Sequence, residues 1–244
     1  MIKIIKSAEH YKKDADWLST YHHFSFAEYF DPKNMNFGPL RVFNDDIIQP
    51  GTGFDFHFHS DMEIITYVIE GELEHKDDQG NHGVIYPSEL QVMTAGSGIT
   101  HSEYNHSKEK PVRLLQMWIF ADTKSLKPSW GQKKYSKEQR LNKLLPVVFP
   151  IDRASGTKDN DLRIHQDVLF YISILTPENE LGQELGNERK AYVFVIDGEI
   201  KLNDNMMQTR DSARVENENK ITIKAIKPTE LILIDLPEKY AINR

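Results

Sequence analysis

Two short segments place metal-ligating side chains at strand spacing. In a β-strand, residues i and i+2 share one face about 6–7 Å apart. His57-Phe58-His59 therefore aims two imidazoles one way and leaves Phe56 and Phe58 on the other face. His101-Ser102-Glu103 repeats the device with one imidazole and one carboxylate. A single His-x-His is weak evidence, but the second pair begins 42 residues after His59, in the same strand-and-turn context. Together His57, His59, His101 and Glu103 would supply three nitrogens and one oxygen to one divalent transition metal. Such borderline and hard ligands suit Fe(II), Mn(II), Co(II), Ni(II), Cu(II) or Zn(II), and ligand type alone does not choose among them. Four protein ligands leave open positions at which an outside oxygen ligand can be activated.

Glu63 shares strand parity with His57 and His59, but a straight strand puts it roughly 13 Å beyond His59. It reaches the metal only if Ser60-Asp61 turns the chain back, so a supporting or surface carboxylate is expected. His22-His23, His75, His82 and His106 have no partner at ligand spacing and are expected to be exposed polar residues. Gln91, Met93 and Met117 sit on strands flanking the ligands and are expected in the core, although they could line a cavity. Gly96 and Gly98 precede His101; glycine permits a tight turn that aims the next strand. With two glycines and no following helix this is not a dinucleotide loop. Neither His-Glu-x-x-His nor Gly-x-Ser-x-Gly occurs, so zincin and α/β-hydrolase chemistry find no support.

Short apolar runs position these residues. Segments 64–69, 84–86, 90–93, 114–120, 191–196, 221–226 and 231–236 read as strands, with Gly, Pro, Asn and Asp between them. Strands at this spacing predict an all-β sandwich or barrel. Residues 133–145 are the best helix candidate, polar and ending at Pro146, and would bridge two halves. Val68-Ile69-Glu70-Gly71-Glu72-Leu73 returns 127 residues later as Val195-Ile196-Asp197-Gly198-Glu199-Ile200, which suggests a duplicated unit. Nine of the ten histidines lie at or before His106, so only the first copy can be histidine-rich.

The composition bounds the function classes. There is no cysteine, which excludes thiolate metal sites and disulfides. Thirty basic against 37 acidic residues give a net charge of −7 with the basic residues scattered, which argues against direct nucleic-acid contact or a polybasic membrane patch. No apolar stretch approaches the length of a membrane-spanning helix, and the start, Met1 to Lys6, lacks a signal-peptide core, so a cytoplasmic protein is expected. Asn105-His106-Ser107 matches a glycosylation sequon that this expectation treats as chance.

From His23-Phe24-Ser25-Phe26 to Asn105 the chain resembles the pirin family of the cupin superfamily. The resemblance runs through Phe37-Gly38-Pro39-Leu40-Arg41-Val42, Met62-Glu63-Ile64, Glu70-Gly71, Leu73, His75, and Gln91-Val92-Met93-Thr94-Ala95-Gly96 to His101-Ser102-Glu103-Tyr104-Asn105. It implies an all-β bicupin: two jelly-roll-like cupin β-barrels packed together with a short helical linker. The expected division is 1–132 for a metal-binding N-terminal barrel and 133–244 for a C-terminal barrel without metal ligands. It implies iron(II) on His57, His59, His101 and Glu103, with Zn, Mn, Ni, Co or Cu also fitting. It further implies a dioxygenase resembling quercetin 2,3-dioxygenases, taking a small aromatic substrate and O₂, with Glu103 orienting that substrate or accepting its proton. The family's other implied role is a metal- or redox-dependent regulatory protein that binds a transcription factor or metabolic enzyme. The chain departs from the family at His57-Phe58-His59-Ser60, where His-Pro-His-Arg is usual, and at Pro87-Ser88-Glu89, where Pro-Gly-Asp is usual. No ligand is lost by either change, but a cation near the pocket mouth is.

Overall fold

The computed structural model describes residues 1–152 and 160–240. Almost every element is an antiparallel strand, and contacts divide the chain into two compact units. One holds Tyr11–Lys134 with Leu162–Gln166; the other holds Met1–His10, the described part of Tyr135–Asp161, and Asp167–Tyr240. A linear division at 132/133 does not capture this exchange, because Ile2–Ile5 pairs with Ser212–Glu216 (Ile2 opposite Val215).

In the first unit one sheet runs in the order Ser129–Lys134, Glu89–Thr94, Met62–Glu70, Val112–Phe120, Leu40–Ile48, Leu18–His22, Tyr11–Asp14. A four-stranded sheet runs Gly53–His59, Ile99–Asn105, Leu73–Asp77, His82–Ile85. Alternation sets which side chains meet between the sheets. Ile48, Val68, Val112 and Leu114 of the larger sheet pack with Leu73 and Ile85 of the smaller one.

The second unit repeats this plan. Its larger sheet includes the order Ile2–Ile5, Ser212–Glu216, Arg189–Asp197, Thr229–Pro237, Leu169–Leu175, Leu145–Pro150. Its four-stranded sheet runs Glu180–Glu184, Lys220–Ala225, Glu199–Leu202, Asn205–Gln208. Both copies of the repeated hexapeptide form the same tight turn, which carries the chain from a strand of the larger sheet (Met62–Glu70, Arg189–Asp197) to one of the smaller sheet (Leu73–Asp77, Glu199–Leu202). Gly71 has φ 79°, and a Cβ there would lie 2.5 Å from the carbonyl oxygen of Pro111; Gly198 has φ 103° and would meet the carbonyl oxygen of Pro228. Only glycine accepts both the left-handed backbone and the close approach.

The helix expected over 133–145 is a single turn, Lys137–Arg140. Ser136 caps it, accepting from Gln139 N at 3.4 Å while Gln139 Oε1 accepts from Ser136 N at 2.7 Å. On its N-terminal side Gln132, Lys133 and Lys134 are taken into the ladder opposite Gln91, Leu90 and Glu89. On its C-terminal side Asn142, at φ 53°, donates its backbone N–H to Ile174. Ladder hydrogen bonds outweigh the helix propensity of that polar stretch.

Candidate metal centre

The two ligand-bearing strands are neighbours, and a bulge sets their register. His57 stands opposite His101, and Phe54 opposite Glu103, so two residues of one strand, Asp55 and Phe56, lie against the single Ser102 of the other. Asp55 and Phe56 are consequently both exposed, while Phe54, His57 and His59 face inward. Gly53 admits this close pairing: a Cβ there would lie 2.5 Å from Tyr104 Cα and would also meet the carbonyl oxygen of Glu103. On the other side of Ile99–Asn105, His75 stands opposite Glu103 and Asp77 opposite His101.

The three sequence-predicted imidazoles converge. Ring centroids lie 4.7 Å apart for His57 and His59, 4.4 Å for His57 and His101, and 4.9 Å for His59 and His101. One ring nitrogen from each falls within 4.8 Å of the others. His57 Nδ1 sits 2.7 Å from the Asp55 carbonyl oxygen, which can only accept, so Nδ1 carries the proton and Nε2 keeps its lone pair. Burial, then the neighbouring His101 and His57, depress His59 to about 4. Burial, then His57 and His75, depress His101 to about 3. Both rings are thus neutral near pH 7, as ligation requires. His101 Nε2 is buried without a hydrogen-bond partner. A buried lone pair left bare is costly in an apolar setting and is satisfied by a cation.

Glu103 belongs to a second cluster with His101 and His75, so the four predicted residues are divided between two sets of three that share His101, the second completed by His75. Its oxygens are held from behind. Gln91 Nε2 donates to Oε1 at 2.6 Å, and Gln116 Nε2 donates to Oε2 at 2.5 Å. Each amide is oriented by an indole, which can only donate. Trp130 Nε1 gives its hydrogen to Gln91 Oε1 at 2.8 Å, and Trp118 Nε1 gives its hydrogen to Gln116 Oε1 at 3.2 Å. The amide nitrogens must then face the carboxylate.

A cavity of about 260 Å³ opens onto His57, His59 and Glu103. Trp17, Phe26, Phe54 and Trp118 give it aromatic walls; Trp118 meets His59 edge-on at 4.8 Å, and Phe26 meets Trp118 at 5.2 Å. Adjacent strands add a polar wall, with Thr20 opposite Asp46 and His22 opposite Asn44. Asn44 Oδ1 accepts from His22 Nδ1 at 3.0 Å. Burial drives the Asp46 carboxyl up to about 7; the Thr20 hydroxyl opposes this, while Asp45 and Glu103 add to it.

Several expectations need correction. His22, His23 and His75 are buried: His22 and His75 lie on inward-facing positions of Leu18–His22 and Leu73–Asp77, and His23, in the bend just after the first of these strands, packs on Phe43 at 4.7 Å; His82 and His106 are exposed. Glu63 is fully buried and lies in neither ligand cluster; it accepts from Thr94 Oγ1 at 2.8 Å. Met93 and Met117 are core residues, whereas Gln91 grips Glu103, and the residue before Met117, Gln116, lines the cavity. Sequence reasoning did not find Asp77, Gln116, Trp118 or Trp130. The signal for Asp77 was its i+2 spacing from His75, the same pattern that marks the ligand pairs.

In the second unit the strands that topologically correspond to the ligand pair are Glu180–Glu184 and Lys220–Ala225. They contribute Leu181, Ile221, Ile223 and Ala225 to an apolar cluster, side chains that offer no ligand atom.

Known families match along the chain. The pirin family model covers residues 5–119, and that of the quercetinase C-terminal cupin domain covers 154–236. A pirin-like protein of Caulobacter vibrioides is 42% identical over 224 residues, spanning 91% of this chain and 94% of the relative. The chain belongs to the pirin family. Another pirin relative, named quercetin 2,3-dioxygenase, from Escherichia coli strain K12, is 36% identical over 237 residues, 97% of this chain and 99% of that protein. The crystal structure of the bacterial pirin YhhW from Escherichia coli in complex with nickel(II) superposes with a TM-score of 0.90 at 37% identity, covering 97% and 99% of the two chains. The all-β, two-barrel pirin architecture expected from the sequence is the one observed. Among the described residues no helix is long and apolar enough to cross a membrane.

Proposed function

We propose that this pirin is a metal-dependent dioxygenase that cleaves quercetin or a similar aromatic enol with O₂, using iron(II) held by His57, His59, His101 and Glu103. The observation that carries the reading is the bare, buried Nε2 of His101 within a three-imidazole cluster at the foot of an aromatic cavity. When bound, the metal supplies a Lewis-acidic, redox-capable centre.

The chain's own residues supply position and proton handling. Trp17, Phe26, Phe54 and Trp118 suit a flat aromatic ring and exclude water from around it. Gln91 and Gln116 occupy one lone pair on each oxygen of Glu103, leaving that carboxylate to ligate and to orient the substrate oxygen. Asp46 lies on the same cavity wall with its carboxyl raised to about 7, a value suited to taking the enol proton. Thr20 Oγ steadies it.

The test is aerobic turnover of quercetin by the iron-loaded protein. Turnover that is lost in His57→Ala supports the reading; none with iron, nickel, manganese, cobalt, copper or zinc refutes it for this substrate. A regulatory role is the second reading, favoured by Phe56 and Phe58, which are 60% and 63% exposed on the outer face of the ligand strand. Metal-dependent capture of a protein partner that Phe56→Ser abolishes, with no catalysis, would support it instead.

A further inference from the structure

We propose that Asp77, acting through His75, fixes the tautomer of His101 that presents Nε2 to the metal, so that Asp77 and His75 are positioning residues and His75 is not a ligand. This rests on the metal reading above.

The chain of hydrogen bonds has one consistent direction. Asp77 is anchored by its own turn: Oδ1 accepts from Gln79 N at 3.0 Å and Asn81 N at 2.8 Å, and Oδ2 accepts from Asn81 Nδ2 at 2.8 Å. Oδ2 also lies 3.2 Å from His75 Nε2. A carboxylate only accepts, so His75 Nε2 carries that ring's proton and His75 Nδ1 is left with a lone pair. His101 Nδ1 is 3.4 Å from His75 Nδ1, and two lone pairs cannot share a hydrogen bond. His101 Nδ1 must donate. Its single proton is then spent on Nδ1, and Nε2, the atom found buried and bare, is free to ligate.

The His75 ring is held for this task. It stacks on Trp130 at 5.1 Å and 13°. Trp130 in turn lies over Gly83, where a Cβ would come within 2.6 Å of the indole. The same Trp130 orients Gln91 behind Glu103, so one indole buttresses the supports of two ligands. Both nitrogens of His75 are engaged, one by Asp77 and one by His101, which is why its place in the second ligand-like cluster does not make it a ligand. Outer-shell partners of this type tune metal affinity by about 10- to 100-fold.

Asp77→Asn tests the relay because it preserves volume and an oxygen for the turn while allowing an NH₂ to face His75 Nε2. The proton of His75 then moves to Nδ1, that of His101 to Nε2, and the ligating lone pair is lost; a comparable change in a catalytic triad acts through the wrong tautomer. Zn(II) affinity of the full chain, measured by competition with a chromogenic chelator, is expected to fall at least about tenfold in Asp77→Asn. Equal affinity in a folded Asp77→Asn overturns the relay, whereas a wild type that binds no Zn(II) overturns the metal reading itself. Long-range ¹H–¹⁵N correlation of the Zn(II)-loaded wild type decides the matter even if Asp77→Asn does not fold. The expected spectrum shows His101 protonated at Nδ1 and His75 at Nε2 alone; a proton on His75 Nδ1, or ligation through His101 Nδ1, contradicts the proposal.

Discussion

Gly53→Ala perturbs the strand pairing while leaving every ligand side chain in place, since it removes no polar atom and meets only the backbone of Glu103 and Tyr104 and the Tyr104 ring. Gly53 has no left-handed backbone requirement, so the substitution acts through space alone. Its Cβ would stand 2.5 Å from Tyr104 Cα and 2.8 Å from Tyr104 Cγ, against 3.4 Å for ordinary contact. The obstacle is mainly backbone, which cannot swing aside, so Gly53–His59 must move about 1 Å away from Ile99–Asn105. Overpacking of this kind costs about 1–3 kcal/mol. Metal–ligand distances tolerate only about 0.2 Å, so the separation of His57 from His101 should weaken binding by at least about tenfold. Urea unfolding and Zn(II) competition on the same preparations measure the two effects together. Gly131→Ala is the control: its Cβ meets only Leu162 Cδ2 at 3.6 Å, and stability should change by less than about 1 kcal/mol. A Gly53→Ala protein with control-like stability and undiminished Zn(II) affinity would refute the claim that the tight bulged pairing positions the ligands.

Two further outcomes follow from the buried polar groups. Gln91→Leu deletes the donor to Glu103 Oε1 and strands the Trp130 N–H, so unfolding free energy should drop by about 1–3 kcal/mol, with weaker Zn(II) binding, in chemical denaturation and competition assays. In chelator-treated protein, the share of stability that comes from Asp46 and Glu63 should decline as pH rises from about 4 to about 7. His59 and His101, depressed to about 4 and about 3, contribute the opposite slope up to their unfolded value of 6.5. Burial raises Asp46 from 3.8 and Glu63 from 4.5, each to about 7, so the folded state keeps protons that the unfolded chain has released. The stabilisation is fully present below the unfolded values and is lost as pH passes through the folded ones, at about 1.4 kcal/mol per pH unit for each group. Glu63→Gln should flatten one group's share of that slope in urea titrations at pH 5, 6 and 7; an unchanged slope would show that Glu63 is ionised in the fold.

The convergence of His57, His59 and His101 was legible because strand geometry makes i and i+2 share a face, whatever the register. The bulge was not: nothing in Asp55-Phe56 shows that both point outward, since that depends on which residue of Ile99–Asn105 each opposes. His75 was read as exposed for a similar reason. Its burial comes from Trp130 and His101, which are distant in sequence and meet it only through cross-strand pairing. The overlong helix arose because a polar strand such as Ser129–Lys134 lacks the apolar alternation that betrays a strand. The repeated turn was legible because its glycine is forced by a left-handed local backbone, whereas its passage between two sheets, and the pairing of Ile2–Ile5 with Ser212–Glu216, leave no trace in either segment alone.

The central claim is one metal on His57, His59, His101 and Glu103, facing the aromatic cavity. Anomalous diffraction at the metal edge, from crystals of protein loaded with one equivalent of iron(II) or nickel(II), tests it directly. The account predicts a single peak in contact with those four side chains and open toward Phe54 and Trp118. A peak bound instead through His75, or none at a loading that elemental analysis shows to be complete, would contradict it.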